Sequence, residues 1–152
     1  MLFHLPSEYE SEQFAERLAA CLVPPLILTF SGDIGMGKTT LIRALLRSMG
    51  VTCAIKSPTF TLVESYDLGG IQFNHFDLYR IHDETELDYI GFRDYFGAQA
   101  ICCIEWPERV SHCFDRVDLA FTLVRKEEGR DMRVCAFSSA GTNLLSCIVG
   151  ES

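Results

Sequence analysis

Basic residues are scarce in this chain: 13 Lys and Arg stand against 21 Asp and Glu, a formal charge of −8 over 152 residues. A protein that grips nucleic acid through its phosphates usually carries a basic footprint. Direct nucleic-acid binding is therefore disfavoured, and service to a nucleic-acid pathway is expected to run through protein partners. No stretch approaches the ~20 apolar residues of a membrane-spanning helix. The start, Met1-Leu2-Phe3-His4-Leu5-Pro6, lacks the basic residues of a secretory signal and runs into Glu8, Glu10 and Glu12. A cytoplasmic protein with no membrane partner is expected. Internal repeats and linkers are also missing, so residues 1–152 are expected to form one domain. Cysteine is not scarce, with seven residues, but the count is odd and neither C-x-x-C nor metal-ligand spacing occurs. Reduced thiols packed as small core hydrophobes are expected.

What is present begins with Gly32-Asp33-Ile34-Gly35-Met36-Gly37-Lys38-Thr39, a G-x-x-x-x-G-K-T phosphate-binding loop. Its glycines let the backbone curl and bring N–H groups against phosphate oxygens. Lys38 reaches the phosphates as a point charge, and the Thr39 hydroxyl is a hard-oxygen ligand for Mg²⁺. The apolar run Leu26–Phe30 before the loop reads as a buried strand. Thr40–Met49 after it reads as a helix stopped by Gly50, whose positive end adds to the anion site.

Upstream, Ser7-Glu8-Tyr9-Glu10 is a capping box opening a helix with Phe14, Ala15, Leu18, Cys21 and Leu22 on one face, ended by Pro24-Pro25. Downstream, Ser57-Pro58-Thr59 is a rigid turn, either a strand lead-in or a switch-like segment sensing the terminal phosphate. Residues 62–66 and 71–77 read as a hairpin turning at Asp67-Leu68-Gly69-Gly70. A hairpin beside a phosphate-loop strand implies a mixed sheet, with Asp77 at a strand's carboxyl end. Asp83, with Glu86 three residues on, caps a short helix interrupted by Gly91. Ala100–Ile104 is uninterruptedly apolar and ends in Glu105, the pattern of a central strand delivering an acid to a metal. Trp106 follows, as packing or as a shield or docking surface, and Pro107 starts a helical turn. Residues 118–124 and 132–137 read as a second hairpin around the charged turn 126–131, in which Arg130 is a solvated charge or a group approaching the nucleotide. Ser138–Gly141 reads as a loop and 144–149 as a short closing element.

The fold class expected is α/β: a P-loop NTPase-like three-layer α/β/α arrangement with a mixed parallel and antiparallel central sheet. Asp77 and Glu105 end separate strands, so one serves the metal and the other orients or deprotonates water. Glu105 suits the metal better, being on the apolar strand. No arginine finger is evident beyond the candidates Arg80 and Arg130. The chain contains no guanine-reading N-K-x-D, which favours ATP. A small-molecule or nucleoside kinase and a non-catalytic nucleotide-binding module remain the alternatives to an ATPase.

Four segments together narrow this: 32–40, Ser-Pro-Thr-Phe-Thr-Leu-Val-Glu (57–64), His-Phe-Asp-Leu-Tyr-Arg (75–80) and Glu-Trp-Pro (105–107). In this order and spacing the chain resembles the bacterial TsaE (YjeE) ATPases of tRNA threonylcarbamoyladenosine synthesis. The resemblance implies that Lys38 and the loop backbone from Asp33, Ile34, Gly35, Met36 and Gly37 to Thr39 and Thr40 hold the ATP phosphates. It implies that Thr39 and Glu105 bind Mg²⁺, that Asp77 acts with Lys38 in hydrolysis, and that Glu8 lies near the adenine. Ser57, Pro58 and Thr59 would fall on a switch segment, and Trp106 on the wall beside the metal. The implied partners are the TsaB and TsaD proteins, with tRNA met only through their complex.

Overall fold

The computed structural model describes residues 1–113 and 116–150. Its elements are β1 (Leu2–Leu5), α1 (Glu8–Cys21), β2 (Leu26–Ser31), α2 (Lys38–Ser48), β3 (Val63–Leu68), β4 (Ile71–Asp77), α3 (Thr85–Tyr89), β5 (Ala100–Glu105), β6 (Leu119–Arg125), β7 (Arg130–Ala136) and α4 (Ser139–Ile148). Two 3₁₀ turns, Phe92–Tyr95 and Pro107–Cys113, flank β5.

The described strands form one seven-stranded sheet in the order β1-β7-β6-β2-β5-β4-β3. The central four, β6, β2, β5 and β4, are parallel, while β3 and β7 run antiparallel to their neighbours. The expected mixed sheet is therefore present. All four parallel strands bring their carboxyl ends to one edge, where open α/β sheets place ligands.

Strand alternation divides the core into two layers. On one face Leu28, Phe30, Phe73, Ile101 and Cys103 pack under α1, α2 and α4. On the other, Ile27, Phe76, Cys102 and Ile104 pack under α3 and the 3₁₀ turns. Phe30 of β2 pairs with Phe121 of β6, their rings stacked at 4.7 Å. Burying each such side chain contributes about 1.5–3 kcal/mol. The helix α2 sits on the sheet through Leu41, Ile42, Leu45 and Leu46, spaced at i, i+1, i+4 and i+5.

Several expectations need correction. β1 lacks any signal in the sequence; it is an edge strand of four residues beside β7. Ser138–Gly141 is not a loop: Ser138 caps α4, its hydroxyl accepting from the Gly141 N–H at 3.0 Å. The Ser7 hydroxyl turns to the Glu10 carboxylate instead of capping a backbone amide. The β3–β4 turn is Gly69-Gly70 alone. The cysteines are not all free thiols: Cys21 and Cys147 form a disulfide. The last turns of α1 and α4 bring their Cα atoms to 5.9 Å, within bridging range. Cys102 and Cys103 are buried as expected, whereas Cys53 and Cys135 are exposed. The Cys113 side chain lies outside the described part.

Candidate functional site

The site is built where α2 starts. Gly37 immediately precedes the helix with φ 91°, a left-handed conformation that suits glycine. A Cβ there would also meet Arg130, lying 1.7 Å from Nη1. Arg130, the first residue of β7, reaches the loop from behind and donates from Nη1 to the Met36 carbonyl at 2.7 Å. It is thus not a free charge in a solvated turn. Because α2 opens at Lys38, its first-turn amides and helix dipole form an anion-binding end.

Residues 34–40 line one side of a cavity of about 400 Å³, and Thr59, Asp77, Tyr79, Glu105 and Trp106 line the other. The sheet register explains the opposite wall. Asp77 of β4 is level with Glu105 of β5, and Glu105 with Phe30 of β2. Both acids therefore emerge together at the carboxyl edge, on the α2 face. Thr39 Oγ1 contacts Glu105 Oε1 at 2.8 Å and Oε2 at 2.9 Å. Glu105 Oε2 also meets His75 Nε2 at 2.6 Å.

Lys38 folds back, its Nζ donating to the Gly32 carbonyl and, at 3.0 Å, to that of Asp33. The same ammonium lies 4.0 Å from the centre of the Trp106 ring. Burial lowers the Lys38 pKa, and the charges of Glu105, Glu108, Asp77 and Asp33 oppose that. Asp77 is 7% exposed. Burial raises its pKa first, and the Glu105 charge adds to the rise; the Tyr79 N–H donating to it at 3.1 Å pulls the other way. Trp106 has φ 59°, which turns the chain sharply after β5 and sets its indole between Lys38 and Tyr79, 5.0 Å from the tyrosine ring.

The other expected residues sit around this centre. Asp33 contributes its carbonyl to Lys38. Ser57 shares a hydroxyl hydrogen bond with Thr59 at 2.9 Å, and buried Pro58 accepts from the Leu62 N–H. Glu8 lines a smaller hollow of about 180 Å³ that shares Thr40 with the main cavity. Arg80 stacks on the exposed Phe60 at 4.3 Å and does not line the cavity. Sequence reasoning passed over His75 and Tyr79, although both lie inside the quoted segment 75–80. The signal for His75 was its spacing of two from Asp77 on a strand, which puts both side chains on one face.

The donor set can be tested against the cation it would hold. Thr39 and Glu105 offer hard oxygens side by side, which suits Mg²⁺, an ion that keeps waters and phosphate oxygens for the rest of its shell. Among the described residues no group of three or more His, Cys, Asp or Glu forms a protein-only cage.

The description "Threonylcarbamoyl adenosine biosynthesis protein TsaE" matches residues 5–133 of this sequence. The chain belongs to the TsaE family. A TsaE of Haemophilus influenzae is 35% identical over 148 residues, covering 94% of each chain. One from Bacillus subtilis is 34% identical over 132 residues, covering 87% of this chain and 81% of the relative. Both carry the name tRNA threonylcarbamoyladenosine biosynthesis protein TsaE. The crystal structure of Bacillus subtilis YdiB superposes with a TM-score of 0.81 at 24% identity, over 99% of this chain and 93% of that one. That likeness supports the P-loop NTPase-like α/β fold. Membership of the TsaE family also places the chain in tRNA threonylcarbamoyladenosine biosynthesis.

Proposed function

We propose that this chain is a cytoplasmic, Mg²⁺-dependent ATPase that acts with the TsaB–TsaD pair in forming threonylcarbamoyladenosine at position 37 of tRNAs reading codons that start with A. The observation that carries this is the meeting of Lys38, Thr39, Asp77 and Glu105 in one cavity at the start of α2. The amides of residues 35–40 and the Lys38 ammonium hold the triphosphate. Lys38 leaves the Gly32 and Asp33 carbonyls to meet the anion, a stronger, charge-assisted partner. Thr39 and Glu105 hold Mg²⁺, which when bound screens the phosphate charge and stabilises the leaving oxygen. Asp77, a buried carboxylate held by the Tyr79 amide, orients the attacking water and takes its proton. Thr59, on the cavity wall and hydrogen-bonded to Ser57, reports the phosphate state to the segment 57–62, and so to the partners.

Among the described residues no arginine lines the cavity, which fits hydrolysis that is slow until partners dock. The test is ATP turnover with and without Mg²⁺, and binding to the purified TsaB–TsaD pair with ATP or ADP. Mg²⁺-dependent turnover that the pair accelerates is expected. Equal partner affinity in both nucleotide states would reject the gating, and phosphoryl transfer to an added nucleoside would point to a kinase.

A further inference from the structure

His75 is an odd residue for its place. It lies in mid-β4, 1% exposed, between Asn74 and Phe76, where a polar ring needs a partner to offset its burial. Strand alternation turns it to the α2 face with Asp77, and its Nε2 stands 2.6 Å from Glu105 Oε2. Its Nδ1 is the only buried side-chain nitrogen or oxygen without a hydrogen-bond partner among the described residues.

The network assigns the ring proton. A bare Nε2 would set a lone pair against a carboxylate oxygen. Nε2 therefore carries a proton and donates it to Oε2. Glu105 is then held from two directions, by Thr39 through both oxygens and by His75 through Oε2.

We infer that His75 is a positioning residue for the cation site: it touches neither nucleotide nor metal, and fixes the Glu105 carboxylate for Mg²⁺ shared with Thr39. This rests on the Mg²⁺–nucleotide reading above. Partners that orient a metal-binding carboxylate are commonly worth roughly 10–100-fold in metal affinity.

The experiment is ADP binding by calorimetry across a Mg²⁺ titration, with parallel titrations in EDTA, for the full chain and for His75→Phe, His75→Gln and His75→Asn. The Gln amide N–H reaches about as far as Nε2, whereas the Asn amide stops near Nδ1. In His75→Phe and His75→Asn the Mg²⁺ concentration giving half the effect rises roughly 10–100-fold, while ADP affinity in EDTA stays at the wild-type value. His75→Gln recovers most of the loss. A folded His75→Phe with an unmoved Mg²⁺ curve overturns the inference, as does a fall in ADP affinity that is equal with and without Mg²⁺. Should His75→Phe not fold, the Gln–Asn pair decides: equal Mg²⁺ curves in the two overturn it. A wild-type chain whose ADP binding ignores Mg²⁺ overturns the cation reading itself, and this inference with it.

Discussion

Lys38 carries the clearest signal of occupancy at the scale of single residues. Its ammonium rests on the only tryptophan in the chain, at 4.0 Å from the ring centre. Such a contact is worth about 0.5–2 kcal/mol, and an incoming phosphate competes for the same cation. Adding ADP should therefore change Trp106 emission. Lys38→Ala should alter emission before any ligand is added and weaken ADP binding by about 10–100-fold, the value of a charge-assisted hydrogen bond. An emission unchanged by saturating ADP would refute the coupling. Asp77 gives a second handle. Its folded pKa lies above the ordinary carboxylate value because of burial and the Glu105 charge. A carboxylate raised in this way costs no stability below its unfolded pKa; the cost sets in as pH climbs toward the folded value and is complete above it. Asp77→Asn removes that charge and keeps an oxygen for the Tyr79 amide. It should melt higher than wild type at neutral pH, lose ATP turnover, and converge on wild type as pH falls to about 4. A stability gain that grows on acidification would contradict the assigned cause.

Between elements, the junction of β2, β6 and α4 hangs on Asp118, which is 1% exposed. Its Oδ2 accepts the Ile27 N–H at 2.8 Å and its Oδ1 the Ser138 hydroxyl at 2.6 Å; Arg116 Nε lies 3.2 Å away. Its carbonyl lies so close to Gly141 that a Cβ there would come within 1.8 Å. Asp118→Ala strands the Ile27 amide and the α4 cap, and should cost about 3 kcal/mol in urea unfolding without changing ADP affinity. A loss under about 1 kcal/mol would show that water replaces the carboxylate. This junction also shows where sequence reading stops. Glu105 and Asp77 were legible because a carboxylate ending an apolar strand contradicts its surroundings. The parallel strands β2 and β5 were legible because burial on both faces leaves a continuous apolar run. The start of α4 was not: of Ser138 to Gly141 only Ala140 is a strong helix former, and the Ser138 cap that opens the helix is held in place by a side chain twenty residues earlier. His75 was hidden for a similar reason, since its meaning comes from the register of β4 against β5. Arg130 looked like a turn residue because only the β6–β7 pairing brings it to Met36.

Across the molecule, the bond between Cys21 and Cys147 joins residues 126 apart in sequence and ties α1 to α4. Such a link shortens the unfolded chain's repertoire and leaves the folded packing to the core, so its contribution is expected at about 2–4 kcal/mol. For a chain of this size that is roughly 5–15 °C in melting temperature. Although α1 also packs on α2, the bridge sits at the last turn of α1, just before β2 begins, whereas the phosphate loop follows the opposite end of β2 and is tied by Arg130. Stability and ligand binding should therefore separate on reduction. Treatment with dithiothreitol should lower the melting temperature by that amount, and Cys21→Ser should melt at the reduced value whether or not reductant is present. At temperatures well below either transition, ADP affinity should be the same in both redox states. If reduction weakened ADP binding as well, α1 would have to be supporting the loop through its packing on α2, and the site could no longer be treated as independent of the layer that covers it.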